Sequence, residues 1–299
     1  MPLRFMKQNK RRNWLLTEIL VIDEISLINK KTWELLDVIG REIRKIDKPF
    51  GGIKLVVLGD FHQLPPISGE MLLEQESFEN CFDYCFCLNK IYRSEDKRLV
   101  KIINQIREGK LSKKSYQLLQ ERQTEDIIYP LITPLRNQAS RINQKMLQEL
   151  PGEEIVLSAK YSGNITELNK KELLKASPLE DILTLKKGCV VLHLINKEGL
   201  VNGDIGSVLN VNSKSVAIQV DGITHYIQPH KFEYTSDKTT LTMEQFPLLL
   251  AYGLTVHRAQ GQTLSQGSLI LNQSVFESGQ AYVALSRFKS LDKINIISL

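Results

Sequence analysis

Long apolar runs are missing from this sequence of 299 residues. A helix that crosses a bilayer needs about 20 consecutive apolar residues. The longest apolar runs here, at 190–195 and 246–250, have the length of buried strands instead. The sequence also contains no internal repeat and no low-complexity tract. These absences predict a globular protein that has no membrane partner.

Cysteine is scarce as well, with four residues in the chain. Cys81, Cys85 and Cys87 are close together, whereas Cys189 is far along the sequence. A structural zinc site needs four ligands at short, repeated spacings, and no fourth ligand is evident near the cluster. We therefore expect free thiols in a reducing compartment, with a metal site as the alternative.

The charge balance is mildly basic, with 39 Lys and Arg against 34 Asp and Glu, which gives a net charge of +5. This balance is compatible with a nucleic-acid partner but does not establish one. The first 12 residues hold a basic group formed by Arg4, Lys7, Lys10, Arg11 and Arg12. A solvated tail is the expectation there, and a transit peptide is the alternative.

The first third of the chain has a strand–helix–strand pattern. An apolar run at 18–22 ends in Asp23-Glu24, and a second run at 53–58 ends in Gly59-Asp60. Between them, Asn29 is a candidate N-cap for a helix with apolar residues at helical spacing. These apolar residues are Trp33, Leu36, Ile39, Ile43 and Ile46. The pattern predicts a parallel sheet that is buried on both faces.

Further along, the pattern changes twice. Helices are predicted near 95–108, with Ser94 as cap, and at 138–150. Short strands separated by turn pairs occupy 183–234, which predicts a small antiparallel barrel. From residue 246 the α/β pattern returns and ends in a strand at 294–298.

Polar side chains follow the two early strands directly. Ligands of open parallel sheets bind at the carboxyl ends of the strands. There, Asp23 could hold Mg²⁺ through water and Glu24 could orient an attacking water molecule. The amide of Gln63, which follows the second strand, could detect a γ-phosphate. The alternative is two solvated acids before a helix and an ordinary loop around Gln63.

Six segments in order resemble the helicases of the petite-integration-frequency (PIF) type, the RecD-like branch of helicase superfamily 1. Motif II is matched by VIDEIS (21–26), and motif III with its lead-in by PFGG (49–52) and GDFHQLPP (59–66). Motif IV is matched by LNKIYR (88–93), and the strand–turn signature of the family's insert by LVNG (200–203). Motifs V and VI are matched by AYGLTVHRAQGQTL (251–264) and GQAYVALSR (279–287).

The resemblance implies an α/β fold with two RecA-like parallel-sheet domains and ATP in the cleft between them. Residues 1–87 would form the first domain, which is incomplete and carries motifs II and III. Residues 88–150 and 241–299 would form the second domain, with motifs IV, V and VI. The segment 151–240 would be an insert that contains a small SH3-like β-barrel at about 183–234.

The resemblance also implies residue roles. Asp23 would bind Mg²⁺ through water, Glu24 would act on the attacking water, and Arg287 would serve as an arginine finger. ATP would be contacted by Asp23, Gln63, Arg93, Gly261 and Arg287. Single-stranded DNA would be contacted by Thr133, Thr255, His257, Arg258 and Gln260.

Two features depart from the family pattern. A phosphate-binding loop, G-x-x-x-x-G-K-[ST], is expected well before motif II, yet the only Gly-Lys pair is Gly109-Lys110, which is followed by Leu111. Where the family usually has Asn after Thr-Pro-x, this chain has Arg136. The DNA contact around Thr133 is therefore in doubt.

The resemblance implies an ATP-dependent, 5′-to-3′ DNA helicase of repair, recombination and telomere maintenance that acts on single strands and duplex junctions. Without the phosphate-binding loop, we expect a fragment with impaired ATPase activity. The alternatives are a non-catalytic remnant that binds single-stranded DNA, and a fragment that folds poorly. A monomer inside the cell is expected, nuclear if the source is eukaryotic. An in-frame phosphate-binding loop upstream of Met1 would favour the first interpretation.

Overall fold

A computed structural model describes residues 8–73, 75–197, 199–236, 239–272 and 279–299. Arg4 and Lys7 of the basic start lie outside these residues. The helices are α1 (Gln8–Leu16), α2 (Lys30–Arg44), α3 (Glu76–Glu79), α4 (Lys97–Arg107), α5 (Lys113–Gln120), α6 (Arg136–Glu149), α7 (Glu167–Ala176), α8 (Val256–Ala259) and α9 (Gln280–Leu285). None of the helices in the described ranges is both long and apolar enough to span a membrane.

The strands group into five sheets. They are β1 (Ile19–Ile22), β2 (Lys54–Val57), β3 (Leu131–Thr133), β4 (Ile155–Ser158), β5 (Lys160–Ser162), β6 (Ile182–Leu185), β7 (Val190–His193), β8 (Ile205–Val211), β9 (Val216–Val220), β10 (Ile223–Ile227), β11 (His230–Ser236), β12 (Thr239–Gln245), β13 (Leu248–Leu250), β14 (Gly253–Thr255), β15 (Gly267–Ile270) and β16 (Ile294–Ser298).

The chain forms two compact units. The first holds the described residues within 1–92, 104–110 and 276–283, and the second holds those within 93–103, 111–275 and 284–299. The domain boundaries proposed from the sequence stay a prediction.

In the first unit, β1 and β2 pair in parallel, with Ile19 opposite Lys54. The helix between them begins as predicted, since the Asn29 side chain accepts a hydrogen bond from the backbone N–H of Thr32. This helix, α2, ends at Arg44, and the next residue, Lys45, has a left-handed backbone. Ile46 therefore lies beyond the helix and is 41% exposed.

Trp33 is the centre of the core of this unit. Its side chain is fully buried and contacts the rings of Phe50 and Phe78 edge-on, with ring centroids 4.7 and 5.0 Å apart. Edge-to-face pairs of this kind add to the stabilisation that comes from area burial alone. The core consists of Ile22, Ile25, Trp33, Phe50, Ile53, Leu72 and Phe78.

The prediction that this sheet is buried on both faces was wrong. Ile19 and Val21 of β1 are 56% and 59% exposed, and Val56 of β2 is 45% exposed. The described residues place two strands in the sheet, so both strands are edges and one face lacks a covering layer. Parallel pairing was predicted correctly, because it follows from the strand–helix–strand pattern alone.

The second unit contains a parallel sheet in the order β14-β3-β15-β16. It also contains a five-stranded antiparallel sheet in the order β10-β9-β8-β7-β13. Strands β8, β9 and β10 lie at the residues predicted for the small barrel. That this sheet forms an SH3-like barrel stays a prediction.

The cap predicted for α4 was wrong. Ser94 donates its hydroxyl to the carbonyl of Lys289, at 2.6 Å, instead of capping the helix. Asp96 has that role, because its carboxylate accepts the backbone N–H groups of Arg98 and Leu99. Ser94 and Asp96 both precede the helix, and the long-range hydrogen bond from Ser94 to Lys289 leaves Asp96 as the cap.

Candidate nucleotide and nucleic-acid sites

The two predicted acidic residues follow β1 directly. Asp23 is exposed, and its carboxylate accepts the backbone N–H of Glu24 at 2.8 Å. Glu24 has a left-handed backbone, with φ 51° and ψ 48°. Non-glycine residues in this conformation are costly and concentrate at functional sites.

The loop after β2 joins the same edge of the sheet. A Cβ atom on Gly59 would lie 2.9 Å from the backbone nitrogen of Ile25, so only glycine permits this approach. The amide oxygen Oε1 of Gln63 is buried and has no hydrogen-bond partner among the described residues. A buried acceptor without a partner is costly, and in a native protein it usually awaits a ligand, a water or an ion.

Asp60 lies in a network that the sequence did not indicate. Its carboxylate accepts hydrogen bonds from the Tyr282 hydroxyl at 2.7 Å and from Arg107 at 3.3 Å. The backbone N–H of His62 donates to it as well, at 3.1 Å. Burial alone would raise the pKa of Asp60, but these donors outweigh burial and lower the pKa. Asp60 is therefore a fixed anion that holds the Gln63 loop.

Gly279 places the start of α9 on that loop. Its φ is +82°, and a Cβ atom there would lie 2.6 Å from the carbonyl oxygens of His62 and Gln63. Any side chain at this position would collide with the backbone beside Gln63. The only sequence signal for this contact was the position of Gly279 at the start of the predicted motif VI.

In the second unit, Arg93 connects segments that are far apart in the sequence. Its Nε donates to the hydroxyl of Thr263 at 3.1 Å, and its Nη1 donates to the carbonyl of Ser286 at 2.8 Å. Arg287 is 3% exposed and donates to the Ser286 hydroxyl at 2.7 Å. The predicted motifs IV, V and VI thus share one cluster with two guanidinium groups. Gly261, in the loop before Thr263, has a φ of +79°.

The residues predicted to contact DNA lie around the ends of two neighbouring parallel strands. Thr133 and Thr255 are paired residues at the ends of β3 and β14. Thr133 is fully buried and donates its hydroxyl to the carbonyl of Leu135, at 3.0 Å. Thr255 caps α8 by accepting the backbone N–H of Arg258, at 3.3 Å. Both threonines shape the backbone at this edge.

Of the remaining three, Arg258 is exposed, whereas His257 and Gln260 are half-buried. Arg258 lines a groove of about 930 Å³ together with Thr255, Arg136 and Glu180. Partial desolvation of Arg258 in the groove lowers its pKa, the charge of Glu180 opposes this shift, and the positive charge of Arg136 adds to it. No role was predicted for Arg136 or Glu180 from the sequence.

The cysteines are all free thiols. Cys85 and Cys87 are exposed and Cys81 is half-buried, while burial raises the pKa of Cys189 to about 11. Within the described ranges, no group of three or more His, Cys, Asp or Glu side chains is placed to hold a metal ion. Any Mg²⁺ would therefore be held by few protein ligands together with water and phosphate.

In the first unit, Asp23 and Gln63 offer oxygen atoms, which suit a hydrated cation. In the second unit, Arg93 and Arg287 offer guanidinium groups, which suit an anion. By contrast, the Gly109-Lys110 pair follows the carboxyl end of α4, where the helix dipole is negative and disfavours an anion.

Parallel sheets, with two acids and an amide in the segments that follow β1 and β2, define an α/β protein of the RecA-like type. The sequence at 4–117 matches the model of the PIF1-like helicase family. The chain is 32% identical over 307 residues to the human ATP-dependent DNA helicase PIF1, covering 96% of this chain and 47% of the human protein. The chain belongs to the PIF1-like helicase family.

Solved structures agree. The crystal structure of the Pif1 helicase from Candida albicans superposes with a TM-score of 0.85 at 28% identity, over 99% of this chain and 75% of that one. A Bacteroides Pif1 helicase in complex with ADP-AlF3 and single-stranded DNA gives a TM-score of 0.71 at 25% identity, over 97% and 73%. The chain spans about half the length of the curated relatives it matches.

Proposed function

We propose that this chain carries part of the motor of an ATP-dependent DNA helicase that moves 5′ to 3′ in repair, recombination and telomere maintenance. The observation that carries this proposal is the cluster around Arg93, which joins three predicted phosphate-sensing segments in one unit. Single-stranded DNA and duplex junctions are the proposed substrates, and ATP with Mg²⁺ is the proposed cofactor. We also propose that the protein is a monomer inside the cell, and that it lies in the nucleus if the source is a eukaryote.

ATP supplies a γ-phosphate whose transfer to water drives movement along DNA. The side chains of this chain would orient and stabilise the reacting atoms. Asp23 would hold Mg²⁺ through water, and Glu24 would accept a proton from the attacking water. Gln63 and Arg93 would contact the γ-phosphate, Gly261 would approach the nucleotide, and Arg287 would offset the charge that develops during transfer.

The proposed role of Arg287 fits its burial. A guanidinium that is 3% exposed and held by Ser286 loses little entropy when it meets a phosphate. Such pre-organisation favours the transition state over the ground state.

No G-x-x-x-x-G-K-[ST] loop occurs in the sequence, and a loop of this kind is what cradles the β- and γ-phosphates in nucleotide-binding proteins. We therefore expect the purified chain to show little or no DNA-stimulated ATPase activity. Phosphate release is measured with and without a single strand, in the chain and in Glu24→Gln. Robust turnover that Glu24→Gln abolishes would mean that the phosphates are bound without the family's loop.

The second candidate function is single-strand binding without catalysis. It is favoured by the groove beside α8, where Arg258 and Arg136 add positive charge in a concave site. Thr255, His257, Arg258, Gln260 and Thr133 would form this site or shape its backbone. Phosphate contacts should dominate, so affinity should fall steeply with salt and vary little with sequence.

Fluorescence anisotropy with a labelled single strand tests this candidate at low and moderate salt. The double variant His257→Ala/Arg258→Ala should bind more weakly, whereas Arg11→Ala/Arg12→Ala should bind nearly as well as the unmodified chain. Loss of binding only in the Arg11/Arg12 variant would identify a nonspecific basic tail instead. No binding at low salt by a folded protein would reject the candidate function.

A fragment that folds poorly is the third possibility, and the exposed face of β1 and β2 supports it. An apolar sheet face in water favours association and loosens the core. A broad thermal transition, or soluble aggregates in size-exclusion chromatography, would indicate this outcome.

A further inference from the structure

The groove beside α8 contains an acid that opposes the function proposed for it. Arg136 is the first residue of α6, Arg258 lies in α8, and Glu180 lies between α7 and β6. These three side chains line the same groove, although 122 residues separate the two arginines in the sequence (258 − 136). A polyanion in the groove would therefore meet an acid beside the two arginines.

The charges in this groove are only partly compensated. Arg258 loses solvation inside the groove and is repelled by Arg136, and both effects lower its pKa. Glu180 attracts Arg258. However, no ion pair within 4 Å joins Glu180 to either arginine in the part of the chain that the structure describes.

The other charged groups of the groove are arranged differently. Lys175 at the end of α7 is exposed. Glu154 forms an ion pair with Lys186 at 3.5 Å, so its charge is largely compensated. Among the described residues that line the groove, Glu180 is thus the acid without an ion-pair partner. His257, next to Arg258, is a further titratable group close by.

We infer that Glu180 acts as a built-in competitor of the DNA phosphate for Arg258, and that Arg136 is a second phosphate contact in the same groove. The inference rests on the proposed binding of a single strand by this unit. A phosphate placed between the two arginines would relieve their mutual repulsion. Glu180 repels the same phosphate, which limits affinity and lets the strand leave the groove. Weak, reversible holding is what a protein that moves along DNA requires.

Arg136 adds a second guanidinium to the groove that Arg258 lines. An arginine binds a phosphate in a bidentate, sequence-independent manner, whereas an amide contacts bases or sugars with less force. Because an extra cation strengthens the binding of phosphate, a nearby acid that weakens this binding keeps it reversible. We therefore expect Arg136 and Glu180 to act as a balanced pair.

The test uses anisotropy with labelled oligo-dT of about 12 nucleotides, within the usual site size for a single strand. Glu180→Gln removes the charge and keeps the shape. Its affinity at low salt should rise roughly three- to tenfold, as expected for one charge close to a phosphate at a partly solvated site. Arg136→Gln should lower affinity by a similar factor. The gain in Glu180→Gln should shrink as salt rises, because screening weakens the repulsion.

Glu125→Gln is the matched control, because Glu125 is exposed in the same unit and does not line the groove. Glu125→Gln changes the net charge by the same amount as Glu180→Gln but leaves the groove unaltered. The affinity of this variant for the oligonucleotide should therefore change by less than about twofold. Circular dichroism and a thermal melt verify that each variant folds. Equal gains in Glu125→Gln and Glu180→Gln would show an effect of net charge only, and would overturn the inference.

The pH dependence gives a second readout. Partial desolvation in the groove raises the pKa of Glu180 more than the charge of Arg258 lowers it, so acidification should neutralise this acid earlier than a fully solvated glutamate. The unmodified chain should therefore approach the affinity of Glu180→Gln as the pH falls. His257 is present in both proteins, so any effect that it has cancels in the ratio of their affinities. A ratio that stays constant with pH would contradict the competitor role.

The affinities of the variants distinguish failure of the competitor role of Glu180 from failure of single-strand binding by the groove. If Arg258→Ala weakens binding and Glu180→Gln has no effect, the groove binds DNA and the competitor role is wrong. If the unmodified chain binds, Glu180→Gln binds more tightly and Arg136→Gln binds less tightly, the inference is supported. If no variant changes an observed affinity, or none binds at all, both the groove site and the inference fail.

Discussion

Asp96 is expected to be one of the most important polar residues for the stability of the second unit. The Oδ1 atom accepts the N–H groups of Arg98 and Leu99, and Oδ2 accepts that of Leu291 at 3.0 Å. The side chain is 10% exposed, and its hydrogen bond from the Arg98 guanidinium is the largest cause of a pKa held well below the usual range. One carboxylate therefore starts α4 and also anchors the segment that follows Arg287.

Removing this carboxylate has a calculable cost. Loss of the helix cap costs about 1 kcal/mol, and leaving the N–H of Leu291 without an acceptor costs about 1–2 kcal/mol. Asp96→Ala should therefore lower the free energy of unfolding by about 2–3 kcal/mol, and Asp96→Asn, which can still cap the helix, by about 1 kcal/mol. The exposed ion pair with Arg98 adds little, because solvent screens it.

Urea unfolding followed by circular dichroism measures the effect, with Glu95→Ala as an exposed control in the same segment. The pH dependence has a definite sign. Because the folded-state pKa of Asp96 is lowered, its contribution is full above the unfolded pKa of about 3.9 and is lost as pH falls further. The gap between the unmodified chain and Asp96→Asn should thus be constant from pH 8 to about pH 5. A loss equal to that of Glu95→Ala would refute the reasoning.

Two further predictions concern the catalytic arginine and the aromatic core. In a protein completed with a phosphate-binding loop, Arg287→Ala should lower kcat by roughly 10³-fold with a much smaller change in ATP affinity, because an arginine finger acts mainly in the transition state. Steady-state kinetics measures this, and a normal kcat would show that Arg287 is structural. Trp33→Ala should destabilise the first unit by about 3–5 kcal/mol, because it removes the buried centre of an aromatic cluster. Thermal unfolding compares it with Leu35→Ala on the exposed side of α2, and equal losses would contradict a core centred on Trp33.

Local patterns predicted the elements that depend on neighbours in the sequence. Strands β8, β9 and β10 lie at their predicted residues because turn pairs separate them. Asp221 and Gly222, for example, both have positive φ and close the β9–β10 hairpin. The cap at Asn29 was likewise predicted correctly, since its acceptor and donor are three residues apart. The cap of α4 was not, because a distant carbonyl takes the Ser94 hydroxyl.

In the candidate sites, too, the residues in local motifs were predicted, whereas those brought together by distant contacts were not. The acids, amide and arginines were identified from ordered motifs, and their roles stay predictions. Glu180 was missed because it carries no motif signal, and Arg136 was noted only as a departure from the family pattern. Their importance comes from a shared concave surface that their spacing in the sequence does not indicate. The Asp60 network was missed for the same reason, since 222 residues separate Asp60 from Tyr282.

By itself, the sequence determined the α/β class, the parallel pairing of β1 with β2, the antiparallel strands and the family. Apolar periodicity, turn chemistry and motif order are properties of short segments, so they can be read without a fold. Only the tertiary structure decided that one face of β1 and β2 is exposed and that Arg93 binds both Thr263 and Ser286. It also decided that an acid opposes two arginines in the groove. Burial and charge compensation depend on which distant segments come into contact. A short segment of the sequence therefore does not determine them.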